Sequence, residues 1–211
     1  MPPTVASRSD RRRARTRTAL VEAARRVFAE QGAEATTIQQ ITDAADVAKG
    51  SFYNHFESRE DIQRCVAEAV LEEMGAALDR DLAQRESDPA RVVAASLLST
   101  LRTCLEDPAL GGFLLQNPDA VDLPAALGPR ARRDLARGRR AGRFAVDDVD
   151  AVLAMLAGAG LGWLRARGDA AARPKEQARF LALALRMLGL PVDEADAIAV
   201  ETLETLGRRR T

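Results

Sequence analysis

The sequence predicts an all-α protein, three short N-terminal helices followed by a larger helical bundle. Three observations carry this reading. Ala, Leu, Arg and Glu dominate the 211 residues while aromatics make up only 4%, a composition that favours helix. Apolar residues recur at i, i+3, i+4 spacing in one segment after another. No alternating strand pattern, internal repeat or low-complexity tract interrupts them.

The elements follow in order. From about Asp10 to Gln31, Leu20, Ala23, Ala24, Val27 and Phe28 form one stripe, and Gly32 ends the helix as a C-cap would. Thr36 is the expected N-cap of a second, short helix that stops near Ala45, with Ile38 and Ile41 on its inner face. A tight turn at Asp46–Val47 leads into a third helix, Ala48 to about His55. Ser58 caps a fourth, with Glu60 and Asp61 favourably placed in its first turn. Its stripe runs through Ile62, Val66, Val70, Met74 and Leu78 to about Gln84. Asp88-Pro89 opens a fifth. "EDPALGGFLLQNPD" is broken by Pro108, Gly111-Gly112 and Pro118, so a short helix with irregular ends is expected. A basic helix follows from Leu123 to about Gly142, interrupted near Gly128-Pro129. Asp147 starts a strongly apolar helix ending at Gly168. The segment from Phe180 to Leu190 is apolar on nearly every side, and Asp193 to Leu206 is amphipathic. The expected organisation is a flexible arm at 1–9, a helix-turn-helix domain at 10–57, and a larger domain at 58–211 whose first helix is the linker.

Composition excludes several classes. No apolar run approaches the roughly 20 residues that span a bilayer, and no apolar core of a secretory signal opens the chain. Two cysteines, Cys65 and Cys104, and the single His55 are too few for a disulfide framework or a zinc site. There is no phosphate loop, metal spacing or base–nucleophile pair, so no enzyme, metal or cofactor is expected. A cytoplasmic setting fits. Net charge is zero, but residues 1–26 hold eight arginines against Asp10 and Glu22, an excess of 8 − 2 = +6. Such a run is either a solvated tail or a phosphate-binding arm, with Arg11, Arg12, Arg13, Arg15 and Arg17 mobile until DNA arrives.

The most informative stretch is "VAKGSFYNHFESRED", Val47 to Asp61. It gathers Phe52, Tyr53 and Phe56 within five positions of a chain poor in aromatics. Phe52 and Phe56, four apart, join Ile38, Ile41 and Val47 as core. Lys49, Gly50, Ser51, Tyr53 and Asn54 lie on another face that no core claims. Asn bonds bidentately to adenine, Lys reaches guanine or phosphate, and hydroxyls bond phosphate oxygens. Gly50 clears the approach of a helix N-terminus to a phosphate backbone. Singly, Tyr53 or His55 also suits interhelical packing; the whole face suits DNA.

"TTIQQITDAADVAKGSFYNHFESREDI" resembles the DNA-binding signature of the TetR family of bacterial transcriptional regulators, over residues 10 to 65. The resemblance implies a homodimer on a palindromic operator of double-stranded DNA. It implies contacts from Thr37 and Gln39 in the second helix, and from Lys49, Gly50, Ser51, Tyr53, Asn54 and His55 in the third. Arg59, where a lysine is usual, would hold a phosphate. Asp46 departs from the usual turn glycine, although Asp tolerates left-handed φ better than most residues.

The same resemblance implies effector binding and dimerisation beyond about residue 85. Small residues at 154, 157–160 and 162 permit close helix–helix approach, so the 148–167 and 175–190 helices are the expected dimer interface. The expected pocket comprises Met74, Leu97, Leu101, Cys104, Phe113, Leu114, Met155 and Trp163, with Gly111-Gly112 letting the wall flex. Few charged residues reach that region, which favours a small apolar or aromatic effector. A redox-responsive protein acting through its thiols, and an effector-independent DNA-binding protein, remain as alternatives.

Overall fold

A computed structural model describes residues 7–82, 88–116, 128–167 and 173–208. Among these residues every regular element is a helix. Contacts divide the chain into two compact units, Met1–Ala69 and Val70–Thr211.

In the first unit, α1 (Arg8–Gln31) begins earlier than the apolar stripe indicates, because Ser7 and Asp10 form a capping box. Arg11 to Arg17 are therefore helical, which corrects the expectation of a mobile arginine run. α2 (Ile38–Ala44) is capped by Thr37, not Thr36. Gln40 stands three residues beyond Thr37 and completes a second box, while Thr36 is buried and donates its hydroxyl to Gly32 O at 2.7 Å. Asp46 takes the turn at φ 54°. α3 (Lys49–Phe52) is shorter than expected. After it the chain tightens into i→i+3 turns, Asn54 N to Ser51 O and His55 N to Phe52 O. Leu20, Ile41, Phe52, Phe56 and Ile62 close the core beneath.

α4 (Arg59–Leu82) starts with Ser58 Oγ accepting Asp61 N at 3.2 Å. The boundary between the units falls inside this helix. The second unit continues with α5 (Pro89–Glu106), α6 (Pro108–Gln116), α7 (Gly128–Arg140), α8 (Val149–Arg167), α9 (Pro174–Met187) and α10 (Val192–Arg208). Leu123 and Gly168, the expected ends of two helices, lie outside the described residues. α5 is central and packs on α6, α7, α8, α9 and α10. Asp88 caps it through Ala90 N, with Pro89 in the first turn.

Three expectations change here. Gly111-Gly112 does not break α6. A Cβ on Gly111 would overlap the Cys104 carbonyl oxygen, so this glycine serves close approach to the end of α5. Phe180, Leu181, Leu185 and Leu188 are buried by their own chain, so the apolar excess of 180–190 is core, and among its large apolar side chains Leu183 stands out at 54% exposed. Lastly, α8 is long and apolar enough to cross a bilayer by length and composition, although charges at its ends keep its unbroken apolar run short. Its described ends are charged (Asp150, Arg165, Arg167), and it packs on α5, α6 and α7.

Candidate functional site

Two separate places collect the candidate residues. In the first unit, Phe52 and Phe56 are fully buried and their rings pack at 5.5 Å. Anchored this way, α3 and the turn after it turn Lys49, Gly50, Tyr53 and Asn54 to solvent, with Ser51 and His55 half-buried. Tyr53 is 56% exposed and meets Phe52 edge-on. A Cβ on Gly50 would meet open space. Thr37 and Gln39 are exposed on α2, although Thr37 is engaged as the cap and Gln39 donates to Asp43 at 2.7 Å. All nine expected DNA-contacting residues thus lie in one unit, eight of them between the cap of α2 and the turn that follows α3.

Arg59 has a second duty that the sequence did not show. Its guanidinium donates to the carbonyls of Glu34 at 2.7 Å and Ala33 at 3.4 Å, tying the start of α4 to the α1–α2 connection. Arg13 and Arg17 are also bracing groups. Arg13 donates to Asn54 O at 3.1 Å, and Arg17 lies over the Phe56 ring and donates to Cys65 Sγ. Burial, then the charges of Arg13 and Arg17, hold the His55 imidazole below its ordinary value. A neutral His55 is therefore the resting state.

The second unit holds a partly open cavity of about 150 Å³. Met74, Leu97, Leu101, Cys104 and Leu114 line it as expected. Phe113, Met155 and Trp163 do not. Phe113 is buried elsewhere and Met155 is 56% exposed. Trp163 stands one ring behind the wall, 5.6 Å from Phe180, which does line the cavity. Helical spacing placed Met155 and Trp163 on the wrong face of α8; Leu153, Leu156, Gly160 and Leu164 are the inward set. Their i, i+3, i+4 relation was the available signal.

Few charges are expected in the wall, and three are found. Asp79, Arg130 and Asp134 stand in its wall. Arg130 donates to both Glu72 carboxylate oxygens at 2.5 and 2.6 Å and to Asp79 at 2.9 Å. Arg133 bridges Asp79 at 2.6 Å and Asp134 at 3.0 Å. The bonds from Arg133, then Arg130, hold the Asp79 carboxyl below the usual range. A Cβ on Gly75 would stand 3.1 Å from the Arg130 side chain, so this glycine gives the arginine its place across α4.

Neither thiol is primed for reaction. Cys65 and Cys104 are both buried, and burial raises both, Cys104 to about 12. Among the described residues no His/Cys/Asp/Glu group has the arrangement of a metal site.

Comparisons with known proteins meet this geometry. Residues 20–64 match the model of bacterial regulatory proteins of the tetR family, and residues 88–201 match that of a tetracyclin repressor-like C-terminal domain. The repressor DhaR of Mycobacterium sp. (strain GP1) is 36% identical over 85 residues, covering 39% of this chain and 43% of that protein. The repressor KstR2 of Rhodococcus jostii (strain RHA1) is 40% identical over 58 residues, 28% of each. The matched stretches thus span less than half the length of these relatives. The crystal structure of RolR in complex with resorcinol is similar throughout, with TM-score 0.81 and 39% identity over 90% of this chain and 95% of that one. A gamma-butyrolactone receptor follows at TM-score 0.55 and 26% identity, over 92% and 99%.

Proposed function

Because the chain belongs to the TetR family of DNA-binding transcription regulators, we propose that it is a cytoplasmic repressor released from DNA by a small single-ring aromatic effector. It binds as a homodimer to a palindromic operator. The observation that carries the DNA half is the exposed set Lys49, Gly50, Tyr53 and Asn54 over the buried Phe52–Phe56 anchor. Polar side chains held on so rigid a base are suited to reading a major groove. Residues 10–57 make up the reading head, and the arginine-rich face of α1 adds sequence-independent attraction to phosphate.

For the dimer, α8 turns Ala154, Met155, Gly158, Ala159 and Gly162 outward. That small-residue stripe suits a two-fold contact with the same helix of a second copy, and the exposed Leu183 of α9 would be covered in the same dimer. For the effector, an apolar cavity near 150 Å³ is the size that takes up benzene. The likeness to RolR, whose ligand resorcinol is also a single ring, supports the same reading. α4 carries Arg59 in the first unit and Met74 and Leu78 in the second. A ligand that binds better when this helix is displaced lowers operator affinity by the same differential. The raised, buried thiols speak against redox control, and the cavity against an effector-independent protein.

The test is a genome-wide footprint to obtain the operator, then binding by variants. Asn54→Ala is expected to cost about 1–3 kcal/mol at one base position and relax specificity there. Arg59→Ala is expected to weaken all sequences alike. Parent-like binding by both would remove this face from the interface.

A further inference from the structure

We propose that the cavity is built for a ring carrying a neutral hydrogen-bond donor, such as a phenolic hydroxyl, with Asp134 as the accepting group, and that it rejects aromatic carboxylates. This rests on the single-ring reading above and narrows its chemistry.

The wall is largely apolar, and its charged residues, Asp79, Arg130 and Asp134, belong to one cluster. With Glu72 and Arg133 outside the wall they form a chain of charges, Glu72–Arg130–Asp79–Arg133–Asp134, three carboxylates against two guanidiniums. The imbalance matters more than the presence of charge. Each of the three guanidinium nitrogens of Arg130 is already donating, two to Glu72 and one to Asp79. Those of Arg133 are divided between Asp79 and Asp134. Both guanidiniums are already paired with carboxylates of the protein, so an incoming carboxylate would be a fourth negative charge against two positive ones, beside a net negative cluster.

Asp134 is different. Its residue is only 8% exposed, and among the described residues its hydrogen bonds come from its chain neighbour Arg133, which it shares with Asp79. A carboxylate has about four lone-pair sites, so Asp134 retains accepting capacity toward the cavity. A hydroxyl hydrogen bonds there without bringing charge. The hydroxyls of Ser96 and Thr100 also stand in the wall, but Thr100 already donates to Ser96 O at 2.9 Å.

The experiment compares toluene, phenol and benzoate, one ring with three substituents, binding to the full-length dimer by calorimetry and by Trp163 fluorescence. Burial of apolar surface alone would rank toluene above phenol. A charged hydrogen bond inverts that order, with phenol about tenfold or more tighter than toluene and benzoate weakest. Asp134→Asn keeps the shape and removes the charge. It is expected to shrink the phenol-over-toluene ratio toward one and to relieve the rejection of benzoate. Toluene binding as tightly as phenol in the parent overturns the inference and leaves the single-ring reading standing. So does an unchanged ratio in Asp134→Asn. If none of the three rings binds, the single-ring reading fails and takes the inference with it.

Discussion

Gly160 lies in the middle of α8 and faces the cavity, and a Cβ added there would meet only Leu101 Cδ2, at 3.8 Å. Gly160→Leu puts four carbons into a space sized for a six-carbon ring. Replacing a mid-helix glycine gains about 0.8 kcal/mol in propensity. Burying four carbons gains about 3 kcal/mol, ordering the side chain costs about 1 kcal/mol, and repacking Leu101 costs about 1–3 kcal/mol. The balance is roughly 0–2 kcal/mol of stabilisation, a rise of a few degrees in Tm for a chain of this size. Ligand binding should vanish while operator affinity stays at the parent value, giving a repressor that no longer responds. Gly160→Ala, which adds only the contact to Leu101, is the control and should retain both activities. The assays are thermal unfolding with and without phenol, and operator binding. Parent-level ligand affinity in Gly160→Leu would refute the placement of the site. Marked destabilisation would show that the space is not free to be filled.

Asp46→Gly should raise stability by about 0.5–1 kcal/mol, because φ 54° is strained for any side chain and free for glycine; a lowered Tm would contradict this. His55 is the only histidine, so its ring proton resonance needs no assignment strategy. In the free protein it should titrate below 6.5. The unfolded chain then takes up the proton first, so this group's contribution to stability is present above pH 6.5 and declines as pH falls below it. Nearby DNA phosphate should raise the midpoint, so that operator binding takes up a proton; a midpoint above 6.5 without DNA would refute the burial argument. Ala159→Glu places a charge in the outward stripe of α8 and should give monomers by sedimentation. A persistent dimer would put the interface elsewhere.

Much of the fold was legible because local signals agree with the tertiary result. Gly32, Ser58 and Asp88-Pro89 mark helix ends by chemistry that needs no distant partner. Thr36 and Thr37 are alike as caps except that Gln40 stands at the position where it completes a box with Thr37. The DNA face was legible because Phe52 and Phe56 must be core and leave their neighbours outside. The cavity was not. Which side of α8 faces inward depends on contacts with α5, α6 and α7, and small residues cover both sides of that helix. Nor could spacing bring Asp134 next to Asp79, since the arginines that join them, Arg130 and Arg133, lie 51 and 54 residues from Asp79.

The most direct test titrates phenol into the operator complex at fixed salt while Trp163 fluorescence reports binding to the same sample. Release of DNA over the concentration range in which the fluorescence changes, with no release by Gly160→Leu, is the expected result. A full fluorescence change with the operator still bound at parent affinity would contradict a ligand-controlled repressor.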